Sequence, residues 1–260
     1  MTRTIALFRY QLVGIINRKM LLILGGFYLA ALLLSLFIAE LAIINSVAIA
    51  FGIFAEVTRY ALVFYIILTI SHLVSQDYEL GLFERLLAMP VSRAHYIAAL
   101  FLVSVVCCLL FVTPLFLMLL WLGDVGQAGY WSAAVGFELL LVAQFVVLMT
   151  VSLEKMPVAV VLTLAFYLLS RSVPLLELMV DNSASYYNEE AGFQFSSLVL
   201  SLIGYILPGW QAFAQTNLLI DEQPKSIVLF QQLVPVAIYS LFLQAVILFD
   251  FYRKEFNRRT

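Results

Sequence analysis

The chain has 260 residues, of which 64% are hydrophobic and 12% are charged, and its formal net charge is -2. Soluble domains are about half apolar and disordered chains are poor in aromatic residues, whereas this sequence contains 21 Phe and 13 Tyr. The composition therefore excludes both classes and indicates an integral membrane protein.

Residues 1–19 predict an amphipathic helix. Ile5, Phe8, Leu12, Ile15 and Ile16 fall on one helical face, and most polar residues fall on the other. We expect this helix to lie in the inner membrane interface before the first span. A cytoplasmic extension of that span is the alternative.

Six apolar stretches are long enough to cross a bilayer, which needs about 20 residues. They are Met20–Ala39, Val57–Ser75, Ala94–Leu122, Trp131–Leu153, Pro157–Met179 and Ile227–Phe251. The first is too long for the core of a signal peptide, and we interpret it as a retained membrane helix. The sequence thus predicts an all-α polytopic membrane protein that forms one domain over residues 1–260.

Two further apolar segments do not fit as full spans. Leu41–Ala55 is bracketed by Glu40 and Glu56, and Ser196–Phe213 is broken by Pro208-Gly209. Either segment could form a seventh crossing. We expect each of them to lie at, or dip into, one membrane interface.

The distribution of basic residues predicts the orientation. With six spans and both termini in the cytoplasm, the inner side holds eleven of the fourteen Lys and Arg: Arg3, Arg9, Arg18, Lys19, Arg85, Arg93, Lys155, Arg253, Lys254, Arg258 and Arg259. The outer loops hold mostly acidic residues. This asymmetry follows the positive-inside rule and predicts a multi-pass protein of the cytoplasmic (inner) membrane.

The connection between the second and third spans, "DYELGLFERLLAMPVSR" from Asp77 to Arg93, is unusually charged. Leu80, Phe83 and Leu87 share one helical face, whereas Asp77, Glu84 and Arg85 are expected elsewhere on the surface. Pro90 ends the helix because it disfavours helical geometry at the preceding residue. The pattern predicts a short amphipathic helix that lies against the membrane, with Arg93 placed to meet lipid phosphates. An ordered tight loop is the alternative.

This segment resembles a pattern that follows the second span in the ABC-2 type permease family, the membrane subunits of ATP-driven exporters. The matching residues are Glu79, Gly81, Glu84, Leu86, Leu87, Pro90, Val91, Ser92 and Arg93. Leu82 replaces the usual Thr, and Leu80 replaces a common basic residue. The two replacements put in doubt individual polar contacts with a partner rather than docking itself.

The resemblance implies that residues 77–93 form a coupling helix in a cleft of the ATPase subunit. The implied docking residues are Glu79, Gly81, Phe83, Glu84, Arg85, Pro90 and Arg93, with Phe83, Glu84 and Arg85 facing or bracing the partner. Such permeases work in pairs, so the resemblance also implies a second copy or a homologous permease. In such permeases an outer re-entrant hairpin often precedes the last span, and Ser196–Phe213 is similar to it, with Pro208 and Gly209 at the break and Trp210 as an interface anchor.

The sequence contains no Gly-x-x-x-x-Gly-Lys-(Ser/Thr) loop, so we expect ATP and Mg to bind to a separate subunit and no cofactor to bind here. We expect no catalytic residues and no nucleic-acid partner. A non-ABC scaffold, an ion-driven carrier and an intramembrane enzyme are the alternatives, although no nucleophile motif supports the last of these. The substrate is not predicted.

Two charged residues inside the spans predict an ion pair. Glu138 lies about fifteen residues from the turn between the fourth and fifth spans, and Arg171 lies about fourteen residues from it on the other side. At about 1.5 Å per residue they reach the same depth. We predict an interhelical pair that acts either as a structural strut or in a substrate path or gate. Glu56 and Arg59, one turn apart, predict a local surface pair.

Few residues suit a metal site. His72 and His95 lack a third ligand nearby, and Cys107 and Cys108 lie side by side in the third span. We predict no metal site and expect both cysteines to be packing residues.

Overall fold

The chain is a polytopic α-helical membrane protein. The computed structural model describes residues 2–15, 18–41, 46–81, 93–122, 125–184 and 226–253, which are almost entirely helical. The helices are α1 (Thr2–Ile15), α2 (Arg18–Leu41), α3 (Ser46–Glu79), α4 (Arg93–Leu122), α5 (Val125–Leu153), α6 (Met156–Ala184) and α7 (Ser226–Arg253). Within the described part, the six helices after α1 are each long and apolar enough to cross a membrane.

Successive membrane-spanning helices run in opposite directions, so the C-terminal turns of α3, α5 and α7 and the N-terminal turn of α4 lie at one end of the bundle. At this end, which we call the α1 end, the last turns of α3 and α7 meet the first turn of α4. The last turn of α5 contacts α3 and α7 there, and α1 packs against α3 and α4. The first described helix and the last one therefore share one end of the bundle. Its cytoplasmic orientation stays a prediction.

Helix α5 lies at the centre of the bundle. It packs against α3, α4, α6 and α7, and most of its residues are buried. Small residues such as Ala134 and Ala143 on its surface let neighbouring helices approach closely. Both cysteines are buried in α4, as the sequence predicts.

The first apolar segment that did not fit as a span is not a separate interfacial element. Leu41 ends α2, and Ser46–Ala55 forms the first turns of α3, with Phe54 and Ala55 fully buried. Our interpretation was wrong because we took Glu56 as a boundary. Glu56 instead bonds Arg59 one turn away, so its charge is compensated within a continuous helix of 34 residues. The second uncertain segment, 196–213, lies outside the described residues.

Helix α3 ends through glycine geometry. Gly81 has a φ of +63°, and its N–H donates to the carbonyl of Tyr78 at 3.1 Å. A residue in this left-handed conformation satisfies carbonyls that the last helical turn leaves free, and only glycine adopts it without strain. Gly81 therefore ends α3 with a defined backbone turn.

Gly81→Ala is expected to lower the free energy of unfolding by about 1 kcal/mol, because alanine is strained at positive φ. Gly25→Ala in α2 is the matched control. Among described residues, an added Cβ meets nothing within 4 Å at either position, so the comparison isolates backbone conformation. Gly25→Ala should be neutral or slightly stabilising in thermal unfolding in micelles. Equal midpoints for the two variants would contradict the helix-end assignment.

Candidate functional site: the anchors of the connection between α3 and α4

Asp77 belongs to the last turn of α3 and is only 2% exposed. Our expectation that it lies on the surface of a coupling helix was therefore wrong, and any such helix begins beyond Glu79. The cause is local: the apolar face of α3 continues past Leu73 and Val74, which are buried, and Asp77 follows one turn later on the same face. A buried carboxylate is costly unless it has donors, and Asp77 has two of them.

The partners of Asp77 come from two other helices. The hydroxyl of Tyr96 in α4 donates to its Oδ2 atom at 2.7 Å, and the Nε2 of Gln11 in α1 donates to the same atom at 3.3 Å. Gln11 and Tyr96 are both 1% exposed. This buried cluster joins α1, α3 and α4 at the point where the connection to α4 begins.

Arg93 holds the other end of the connection. Its Nη1 donates to the carbonyls of Phe251 at 2.8 Å and Tyr252 at 3.1 Å, in the last turn of α7. Its guanidinium also lies over the rings of these two residues, at 5.9 and 5.6 Å from their centroids. The sequence predicted that Arg93 meets lipid phosphates or an ATPase. The structure adds a contact that the sequence did not predict, the bond from its Nη1 to α7.

A ring contact connects the two anchors. Tyr96, which donates to Asp77, stacks on Phe251, whose carbonyl accepts from Arg93; the ring centroids are 5.7 Å apart. The contacts therefore run without a break from α1 through α3 and α4 to α7. Two more bonds strengthen this end: the Tyr78 hydroxyl donates to the Val151 carbonyl at 3.2 Å, and Ser152 donates to Asp250 at 2.7 Å.

The remaining predicted docking residues fall into two groups. Glu79 is exposed at the end of α3, and Gly81 forms the turn described above. Phe83, Glu84, Arg85 and Pro90 lie outside the described residues, as do Pro208, Gly209 and Trp210 of the predicted outer hairpin.

Asp77→Asn is expected to lower the free energy of unfolding by about 1–2 kcal/mol, because the bonds from Tyr96 and Gln11 lose their ionic acceptor in a buried site. Asp250→Asn is the matched control. Its bond with Ser152 is exposed, so a loss below about 0.5 kcal/mol is expected. Chemical unfolding in micelles measures both values. An Asp77→Asn loss no larger than that of Asp250→Asn would remove Asp77 from the role of a buried anchor.

A second polar cluster lies deep within the bundle. The Nη1 of Arg171 in α6 is 3.0 Å from Oε1 of Glu138 in α5, and the Tyr167 hydroxyl donates to the same oxygen at 2.7 Å. The Glu138 side chain has no exposed surface, and that of Arg171 is 14% exposed. The ion pair that equal depth predicted is therefore present.

Arg59 also belongs to this deep cluster. It is 1% exposed, so our interpretation of Glu56 and Arg59 as a surface pair was wrong for the arginine. The guanidinium groups of Arg59 and Arg171 both lie against the ring of Tyr60, at 5.1 and 5.6 Å from its centroid. Two arginines and two glutamates thus lie where α3, α5 and α6 meet, and their charges balance.

Sequence reasoning also missed a polar contact between α5 and α7. Gln144 in α5 is fully buried, and its Oε1 accepts a hydrogen bond from the side-chain amide of Gln244 in α7. Two glutamines inside apolar runs were the available signal. The contact holds α5 against α7, because a buried amide without a hydrogen-bond partner is costly in an apolar setting and the two helices supply each other's partner.

No protein-family model and no curated protein matches this chain. The resemblance to exporter permeases therefore rests on the residue pattern at positions 77–93 and on the helical architecture around it.

Proposed function

We propose that this chain is the membrane-spanning permease subunit of an ATP-driven ABC exporter. The observation behind the proposal is the pattern from Glu79 to Arg93, which directly follows a membrane-spanning helix. Six candidate spans, preceded by a short helix at the same end of the bundle as this pattern, support it.

The attachment of the connection between α3 and α4 to the rest of the α1 end suits an element on which an ATPase exerts force. A connection that only links two spans needs no particular attachment. This one leaves α3 at Gly81, close to the buried bond between Tyr96 and Asp77, and enters α4 at Arg93, which is bonded to α7. A stiffly mounted element passes a displacement to the spans instead of absorbing it.

In this proposal the α1 end faces the cytoplasm, where a separate subunit binds and hydrolyses ATP. A second permease copy, identical or homologous, completes the transporter, with the pathway between the copies. The deep charge cluster at Glu138 and Arg171 is a structural strut in this scheme, because both charges are compensated inside one chain.

Co-expression with an ATPase encoded beside this chain's gene tests the proposal. The expected result is a complex that survives membrane extraction and hydrolyses ATP in nanodiscs. If no ATPase with phosphate-binding and signature motifs co-purifies under any extraction condition, the proposal fails, and a scaffold or ion-driven carrier becomes the better account.

A further inference from the structure

The bond between Arg93 and α7 is more specific than a structural cap requires. The last four carbonyls of any helix lack intrahelical partners, and water or a cation satisfies them equally well at an exposed end. In this chain the cation comes from the first residue of α4, 158 positions before the carbonyl it binds. The bond joins α7 to the residue at which the connection from α3 ends.

Helix α7 is in turn fixed to the centre of the bundle. It packs along α5, and the side-chain amide contact between Gln144 and Gln244 joins the two helices away from the α1 end. A displacement of the first turn of α4 therefore has a direct route to α7 and through α7 to α5.

We infer that Arg93 is a positioning residue that couples movement of the first turn of α4 to α7, in addition to its place in the family pattern. The inference rests on the proposed function, since the ATPase supplies the movement. Arg93 binds the last turn of α7, and the stacking of Tyr96 on Phe251 keeps α4 and α7 in register beside it.

The first arm of the test uses the permease alone in nanodiscs. Arg93→Met removes the charge and the donors but keeps the length of the side chain, Arg93→Lys keeps the charge, and Arg253→Met removes an exposed charge from the same turn of α7. Hydrogen exchange of the last-turn amides of α7 should be roughly fivefold faster in Arg93→Met, intermediate in Arg93→Lys and unchanged in Arg253→Met. Equal exchange in all three variants overturns the assignment of Arg93 to α7.

The second arm measures coupling in the complex with the ATPase. Spin labels replace Leu29 of α2 and Phe249 of α7, both exposed, in a background where Cys107 and Cys108 are serine. A non-hydrolysable ATP analogue should shift the distance between the labels with Arg93 or with Arg253→Met, but not with Arg93→Met, when the variants are compared at equal amounts of bound ATPase.

The outcomes separate the two proposals. If the ATPase binds and the shift persists in Arg93→Met, or if α7 does not move with Arg93 present, the coupling role of Arg93 is overturned and the proposed function stands. If the ATPase binds none of the variants, the proposed function fails and the coupling role fails with it. The exchange measurement then still decides whether Arg93 holds α7.

Discussion

Glu138→Gln is expected to destabilise the protein by about 3 kcal/mol and Arg171→Gln by somewhat less, because each removes one partner of a buried ion pair inside the membrane. Glutamine at position 138 still accepts from the Tyr167 hydroxyl, so the loss in that variant reports the missing charge rather than a missing bond. The variant that carries both substitutions should lose less than the sum of the two, because it buries a neutral amide pair.

The unmodified chain, the two single variants and the double variant form a double-mutant cycle. The free energy of unfolding of each is measured in micelles, with Glu40→Gln as the control. Glu40 is exposed near the end of α2, and the same change there should cost below about 0.5 kcal/mol. Strictly additive losses would show that Glu138 and Arg171 do not act as a pair. A Glu138→Gln loss equal to that of Glu40→Gln would show that the carboxylate is not buried in the membrane.

The same cycle decides between a strut and a gate. If the pair is a strut, the double variant recovers stability and, once assembled with the ATPase, hydrolyses ATP at the normal rate. If the pair acts in a gate, the double variant recovers stability but not the ATP-dependent movement of the helices. Because Arg59 lies against the same tyrosine ring as Arg171, its charge partly compensates Arg171→Gln, and the Glu138 variant should show the larger loss.

Phe83→Asp and Glu84→Lys are expected to reduce the amount of co-purified ATPase roughly tenfold or more. An apolar anchor in a docking cleft and a charge beside it are the kinds of residue whose loss weakens an interface most. Both residues lie outside the described residues, and both variants keep the anchor residues Asp77 and Arg93 unchanged.

Glu154→Lys is the matched control for these substitutions. Glu154 is exposed between α5 and α6, at the same end of the bundle, and the substitution reverses the same charge. ATPase bound to this variant should equal that bound to the unmodified chain, with equal yields of folded permease from size-exclusion chromatography. Loss of ATPase from all three variants would indicate a general electrostatic effect, and loss from none would remove residues 83 and 84 from the interface.

The positions of the spans were largely predictable, because length and hydropathy alone decide whether a segment crosses a bilayer. The depth of Glu138 and Arg171 followed from counting residues along two helices that share a short turn. Glu56 misled the prediction, because a charge was read as a boundary although its partner Arg59 lies one turn away in the same helix.

The anchors of the connection were beyond a single sequence. Asp77 pairs with Gln11 and Arg93 with Phe251, contacts that span 66 and 158 positions and depend on how separate helices pack. Local pattern places Asp77 and Arg93 at span ends, where charges usually face water or lipid headgroups. The fold shows instead that each of these two charges is bonded to residues of other helices, Asp77 to α1 and α4 and Arg93 to α7.

Photo-crosslinking in intact cells shows directly whether a separate ATPase docks on the connection between α3 and α4. A photoreactive phenylalanine analogue replaces Glu84 in one strain and Phe37, which is exposed near the end of α2 that lies away from the α1 end, in another. We expect an adduct at position 84, but not at position 37, between this chain and a protein that mass spectrometry identifies as an ATPase with phosphate-binding and signature motifs. Adducts at position 84 with lipid alone, or with proteins that lack these motifs, would contradict this expectation.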